Sequence, residues 1–192
     1  MTRDWDNPRP KDLLNQEMDA ERVITPEVQI SLMGINELKW HYRFLDLAFT
    51  VAKWSKDPSR KVGAVIVRPD RSICSLGYNG FARGVKDLEE RYTNRDVKYE
   101  LVVHAEQNAI ISAREDLTGF TIYSTLMPCS RCTSMIINSG MKTIVTLVDD
   151  LDKDTHDNTK VRFDLTEIQT DEAGVRLIKI PLSKYQEFSK SS

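Results

Sequence analysis

Three side chains of the types that bind transition metals define the segment where chemistry is expected. His104 opens the run His104-Ala105-Glu106, and Cys129 and Cys132 belong to a Pro-Cys-Ser-Arg-Cys run further along the chain. One imidazole and two thiolates form a ligand set that suits Zn²⁺. Because three protein ligands leave the fourth tetrahedral position open, this set predicts a catalytic zinc site.

Glu106 stands two residues after His104 and could move protons between a zinc-activated water and a substrate. The alternative is a zinc staple, meaning a purely structural zinc site with four protein ligands. The fourth ligand would have to come from Cys74, His41 or His156. Cys74 falls in a predicted strand, and neither histidine has ligand spacing. A staple also gives no reason for a glutamate beside the histidine, so we favour a catalytic centre.

The spacing of these residues predicts where they lie on their helices. Residues two apart in the middle of a helix point to nearly opposite sides, so His104 and Glu106 can share a site only at a first turn. Cys129 and Cys132, three apart, fit the first turn of the next helix. Both motifs are therefore predicted at helix N-termini, where the positive end of the dipole stabilises thiolates.

The elements that must position these motifs alternate along the chain. The apolar patterns predict helices at 36–54, 105–113, 130–138 and, weakly, 161–173, and strands at 62–67, 73–78, 120–126, 142–148 and 175–180. This order predicts an α/β domain in which helices flank a mixed five-stranded sheet. We expect a glycine-rich loop at 77–84, a flexible charged excursion at 85–100 and a solvated acidic loop at 149–156.

The length, the net charge and the number of cysteines restrict the class of protein. The 192 residues suit one domain, predicted at 37–192, preceded by an extension at 1–36 to which no chemistry is assigned. The net charge of −2 gives no general attraction to nucleic acid or to a membrane, and no apolar run is long enough to span one. Three cysteines, two of them in a metal-type C-x-x-C, indicate a reducing compartment. We therefore expect a cytoplasmic protein, or one of the host cytoplasm if the source is a phage.

Several segments resemble the cytidine and deoxycytidylate deaminase superfamily, and within it the deoxycytidylate (dCMP) deaminases. They are SKDPSRKVGAVIV at 55–67, GYNGF at 77–81, HAEQNAI at 104–110, and TLMPC from 125 through the second cysteine and on to position 140. The H-x-E and P-C-x-x-C pair is already known as the signature of zinc nucleobase deaminases. The resemblance covers residues 40–148 and implies the three-layer fold of the cytidine deaminases.

The resemblance also implies an activity. It is the hydrolytic deamination of dCMP to dUMP and ammonia, which supplies dUMP for thymidylate synthesis and classes the enzyme as a hydrolase of C–N bonds in cyclic amidines. One Zn²⁺ would be held by the histidine and the two cysteines, and Glu106 would shuttle protons for a zinc-bound hydroxide. The backbone around Ala105 would contact the base, and Asn79 would hydrogen-bond the sugar or base.

Regulation and assembly are implied in the same way. Similar enzymes are homo-oligomers, hexamers or dimers, activated by dCTP and inhibited by dTTP, and a triphosphate effector could bring Mg²⁺ with it. Gly77, Tyr78 and Gly80 are the residues that the resemblance places at the regulatory site.

The sequence departs from the family at one position and leaves alternatives open. Many dCMP deaminases carry two arginines before the V-G-A segment, whereas this chain has Ser59-Arg60, so Arg60, Lys61 or Arg83 would have to meet the phosphate. The alternatives are a deaminase of another cytosine nucleotide or of tRNA adenosine, and a non-catalytic zinc-stabilised nucleotide-binding protein. The net charge argues against a tRNA substrate, and the presence of Glu106 argues against a non-catalytic protein.

Overall fold

The computed structural model describes residues 25–148 and 163–191. In chain order its elements are α1 (Pro26–Ser31), α2 (Ile35–Ala52), β1 (Gly63–Val67), β2 (Ile73–Tyr78), β3 (Gly80–Phe81), α3 (Glu89–Thr93), α4 (Arg95–Leu101), β4 (Val102–Val103), α5 (Ala105–Ala113), β5 (Thr121–Ser124), α6 (Ser130–Asn138), β6 (Thr143–Val148), α7 (Phe163–Glu172), β7 (Arg176–Pro181) and α8 (Leu182–Ser191). The predicted acidic loop and most of the predicted extension lie outside the described residues.

Five strands form one mixed sheet in the order β2-β1-β5-β6-β7. The strand β1 is antiparallel to both β2 and β5, whereas β5, β6 and β7 run parallel to one another. This arrangement confirms the predicted mixed five-stranded sheet flanked by helices. A second, two-stranded sheet pairs β3 with β4, which is the segment that leads into His104.

The interior strand β1 is buried on both faces, as a strand covered by helices must be. Val65 points into a core formed with α2, β6, β7 and α8, and Ile66 points into a second core formed with α5 and α6. Successive side chains of a strand point to opposite faces, so this alternation places one helical layer on each side of the sheet. Across the described residues, no helix has both the length and the apolar character needed to cross a membrane.

Two glycines allow the helices to approach the sheet closely. A Cβ at Gly63 would lie 2.0 Å from the carbonyl oxygen of Ala48 in α2, and a Cβ at Gly77 would lie 2.2 Å from the carbonyl oxygen of Ala105 in α5. The predicted glycine loop at 77–84 is therefore corrected in part. Gly77 belongs to β2, where the glycine makes room for a helix. The unusual backbone angle predicted for the loop is found at Gly84, whose φ is +88°.

The predicted flexible excursion at 85–100 is also corrected, because this segment forms the helices α3 and α4. The Asn94 side chain caps α4 by accepting from two backbone N–H groups of its first turn. Tyr92 is buried and stacks on Phe81 with ring centroids 4.2 Å apart. The charged composition of residues 85–100 concealed these local caps and contacts from the sequence analysis. The helix α8 at the C-terminal end was not predicted at all.

Candidate active site

The metal-type residues lie at the N-termini of two helices. His104 is the N-cap residue of α5 and Cys129 is the N-cap residue of α6, each with an extended backbone. Glu106 and Cys132 then follow within the first turns of their helices. This is the placement that the residue spacing predicted, and it brings the positive ends of two helix dipoles to one place.

The three ligand atoms are close enough to share one metal ion. Nδ1 of His104 lies 3.3 Å from Sγ of Cys132 and 3.6 Å from Sγ of Cys129. All three atoms lie within 4.8 Å of one another. Ordinary Zn–N and Zn–S bonds in a tetrahedron separate nitrogen from sulfur by about 3.6 Å, so the three residues fit a zinc ion as they stand.

Further contacts hold His104 in this position. Its backbone N–H donates to Oε1 of Gln107 at 3.0 Å, and its carbonyl accepts from the backbone N–H of Asn108. The Gln107 side chain also reaches Sδ of Met135 in α6 at 3.5 Å. The two helices that carry the metal-type residues are thereby linked beside the site.

The pKa shifts of the three side chains in the triad favour the binding of a cation between them. The hydrogen bond from the Cys132 thiol, helped by one from His104, lowers the pKa of Cys129 to about 4. That same hydrogen bond, together with burial, raises the pKa of Cys132. The hydrogen bond to Cys129 raises the pKa of His104. The protein groups alone therefore stabilise one thiolate, and a divalent cation bound between them would stabilise both.

Glu106 is buried beside this triad. Only 4% of the residue is exposed, and its Oε1 accepts a hydrogen bond from Oγ of Ser124 at 3.2 Å. Burial raises the pKa of the Glu106 carboxyl, because desolvation disfavours the carboxylate. A raised pKa lets the carboxyl hold a proton more readily, which suits a group that must both accept and donate protons.

The structure also locates the residues predicted to bind a substrate. Ala105 is fully buried in the first turn of α5, next to His104. Asn79 is 6% exposed, and its side chain accepts from the backbone N–H of Val62 at 2.8 Å and donates to the carbonyl of Arg60 at 2.9 Å. Asn79 therefore holds the turn that precedes β1, while Arg60 and Lys61 are exposed on that turn. Their contact with a substrate stays a prediction.

The residues predicted for regulation are divided between the sheet and the surface. Gly77 is covered by α5 and Gly80 lies in the small β3–β4 sheet. Tyr78 is 40% exposed, and its ring meets that of Trp54 edge-on with centroids 6.1 Å apart. A regulatory role for these residues stays a prediction.

Two of the three candidates for a fourth metal ligand, Cys74 and His41, have partners outside the metal triad. Cys74 donates to Oε1 of Glu115 at 3.1 Å, and Nδ1 of His41 hydrogen-bonds the Tyr123 hydroxyl at 3.0 Å. Within the described residues, neither side chain belongs to the triad. His156 lies outside those residues.

Three side chains that support the predicted site residues were not predicted to do so from the sequence. Ser124, at the end of β5, hydrogen-bonds Glu106, and Asp57 and Lys98 form a buried ion pair at 2.8 Å. Asp57 carries a weak signal, since an aspartate before proline often begins a turn. Lys98 carries none, because a lysine in a charged segment is usually a surface residue.

The sequence of residues 38–148 matches the family described as the cytidine and deoxycytidylate deaminase zinc-binding region. An uncharacterised deaminase encoded in the luxG 3′ region of Aliivibrio fischeri is 44% identical over 106 residues, which are 55% of this chain and 71% of that protein. The deoxycytidylate deaminase of Pongo abelii is 38% identical over 67% of this chain and 76% of its own length.

Solved structures share the fold. The dCMP deaminase of cyanophage S-TIM5, crystallised with dCMP and dUMP, is 25% identical with a TM-score of 0.57. The similarity covers 77% of this chain and 99% of that one. The family match at residues 38–148 contains both helix N-termini, the metal-type triad and four of the five strands of the sheet.

Proposed function

Since this chain belongs to the cytidine and deoxycytidylate deaminase family of zinc-dependent hydrolases, we propose that it deaminates dCMP to dUMP and ammonia. The observation that carries this proposal is the buried Glu106 carboxyl beside the His104, Cys129 and Cys132 triad. The choice of dCMP is supported by relatives that are named deoxycytidylate deaminases and by the similar cyanophage enzyme crystallised with dCMP and dUMP.

The reaction replaces the amino group on C4 of the cytosine by the oxygen of water. When held by the triad, zinc supplies Lewis-acid activation of the attacking water. Glu106 accepts the proton that the water loses and delivers it to N3 of the base. The carboxyl then transfers the second water proton to the amino group, which departs as ammonia. The raised pKa of Glu106 suits both directions of transfer, and the Ser124 hydrogen bond orients the carboxyl.

We propose that the turn before β1 binds the nucleotide. The backbone near Ala105 would contact the base, and Asn79 would contact the sugar or base through the remaining lone pair of its Oδ1, since both its N–H groups already donate to Asp57 and Arg60. Arg60 or Lys61 would meet the phosphate. These two cations are exposed on the turn that the Asn79 side chain holds in place, which supports the assignment.

We extend the proposal to biological context. The product would supply thymidylate synthesis in the cytoplasm, with dCTP as activator, dTTP as inhibitor and Mg²⁺ accompanying a triphosphate effector. The enzyme would act as a homo-oligomer. Each chain would consist of a deaminase domain at 37–192 preceded by an extension at 1–36. The support is the resemblance of the glycine segment at 77–81 to regulated relatives and the exposed aromatic pair of Trp54 and Tyr78 beside it.

The test is ammonia release by the zinc-loaded protein from dCMP, CMP, deoxycytidine, dCTP and a tRNA, each with and without dCTP and dTTP as effectors. Turnover of dCMP above the rest of the panel is the expected result. Activity on another nucleotide would support the proposed chemistry and would indicate that the Ser59-Arg60 departure changes the substrate preference. Absence of turnover across the panel, with zinc shown to be bound, would contradict the proposal.

A further inference from the structure

Asp57 organises the turn that carries Arg60. Its side chain is only 2% exposed, and its Oδ1 accepts from the backbone N–H groups of Ser59 at 2.8 Å and Arg60 at 3.3 Å. Its Oδ2 accepts from the amide of Asn79 at 3.3 Å. One buried carboxylate therefore fixes both parts of the proposed nucleotide contact. A carboxylate at this depth is stabilised by such hydrogen bonds and by a charged partner.

Lys98 is that partner. Its Nζ lies 2.8 Å from Oδ1 of Asp57, and its side chain is 12% exposed. Lys98 belongs to α4 and lies 41 positions further along the chain than Asp57. The helix α4 continues through β4 directly into His104. The ion pair therefore joins the nucleotide-binding turn to the segment that enters the metal triad.

A second ion pair nearby has the same charges without the burial. Lys56 Nζ lies 2.8 Å from Oδ2 of Asp87, and their side chains are 68% and 32% exposed. Exposed pairs of this kind contribute little, because solvent screens the charges. The adjacent positions Lys56 and Asp57 thus offer a matched comparison between an exposed and a buried ion pair.

We propose that Lys98 is a positioning residue for nucleotide binding, acting through Asp57 on Asn79 and the turn at Arg60. This inference rests on the proposed function. Loss of the ammonium group leaves Asp57 as an uncompensated buried charge, which draws the carboxylate towards water and shifts the turn. The groups that perform the chemistry are held separately, His104 by Gln107 and Glu106 by Ser124. The effect therefore falls on substrate binding rather than on the chemical step.

The experiment compares K98M with K56M in the zinc-loaded full chain. Each variant removes one lysine charge from the same region. For K98M we expect KM for dCMP to rise on the order of 10- to 100-fold, with kcat within about threefold of the unaltered protein. For K56M we expect both constants to stay unchanged. Zinc content and the thermal unfolding profile are measured on the same samples.

The double variant D57N/K98M covers the case in which K98M does not fold. It leaves no buried charge unpaired, so the chain is expected to fold while the tie between the turn and α4 stays broken. KM should again rise, because the amide nitrogen that replaces Oδ2 of Asp57 cannot accept the hydrogen bond from Asn79. A folded, zinc-containing K98M or D57N/K98M with the KM of K56M would overturn the inference.

The two proposals fail in different ways. If the unaltered protein and K56M do not turn over dCMP, the proposed substrate is wrong. The KM comparison between K98M and K56M is then made with the nucleotide of the panel that is deaminated, and a difference there would still support the positioning role. Equal KM values would contradict it, whichever nucleotide is used.

Discussion

Nδ1 of His104 lies 3.3 Å from Sγ of Cys132, although 28 positions separate the two residues. The sheet explains this proximity. The helix α6 follows β5 and leads back to the parallel strand β6, so Cys129 lies beyond the carboxyl end of β5. Ser124 ends that strand and hydrogen-bonds Glu106 of α5. The triad therefore forms where ligand sites usually form in open α/β sheets, outside the carboxyl ends of the parallel strands.

Replacement of Glu106 by glutamine should abolish most of the activity without loss of the metal. Glutamine retains the size of the side chain but cannot accept and return a proton, so turnover of dCMP should fall by about 10²- to 10⁴-fold. Ammonia release and zinc content are measured together. Turnover by E106Q equal to that of the unaltered protein would remove the proposed proton shuttle.

Replacement of Cys132 by serine should reduce zinc binding, because it removes one of three proposed protein ligands from a fully buried position. Elemental analysis after dialysis should show loss of zinc together with loss of turnover. The control is C74S, whose cysteine contacts Glu115 rather than the triad and which should retain both properties. A C132S protein that keeps one zinc per chain would contradict the assignment of ligands.

Replacement of Gly77 by alanine should destabilise the protein. The new Cβ would lie 2.2 Å from the carbonyl oxygen of Ala105 and 2.4 Å from the backbone nitrogen of Ala109, so α5 would have to move. We expect the free energy of unfolding in urea to fall by about 1–3 kcal/mol. The control G80A, whose Cβ has only one atom at 4.0 Å, should change it by less than about 0.5 kcal/mol. Equal effects of the two substitutions would refute this packing argument.

His41 should make the stability of the protein depend on pH. Burial lowers its pKa below the ordinary value of 6.5, with a smaller lowering from Arg176 and an opposing effect from Glu37. Between the lowered pKa and 6.5 the unfolded chain binds more protons than the folded one, so stability falls as the pH is reduced through this range. In H41Q this part of the dependence should be absent, a difference of at most about 1.4 kcal/mol per pH unit.

The measurement is urea unfolding of both zinc-loaded proteins between about pH 7.5 and pH 5.5. Zinc bound by His104, as proposed, would keep this imidazole from titrating in this range. H41Q is expected to be less stable throughout, because Tyr123 loses its imidazole partner, but its stability should change less with pH. Parallel pH profiles for the two proteins would show that His41 does not titrate differently in the folded state.

Local chemistry made much of the site predictable from the sequence. The types and spacing of His104, Glu106, Cys129 and Cys132 restrict them to helix first turns, and the alternating apolar patterns indicated the five strands. These features depend on residues close together in the chain, which is why they are readable without a structure. The short helices α3 and α4 were missed because their stability depends on caps and on contacts such as that of Tyr92 with Phe81.

The sequence by itself indicated the family and predicted the ligand set and the proton-transfer group. The tertiary structure decided the roles of residues whose partners are distant in the chain. It showed that Gly77 makes room for α5, that Asn79 braces the turn at Arg60, and that Lys98 neutralises the buried Asp57. The physical reason is that burial and charge pairing are properties of the packed chain. A lysine in a charged segment looks solvated until the fold places it against a carboxylate 41 positions away.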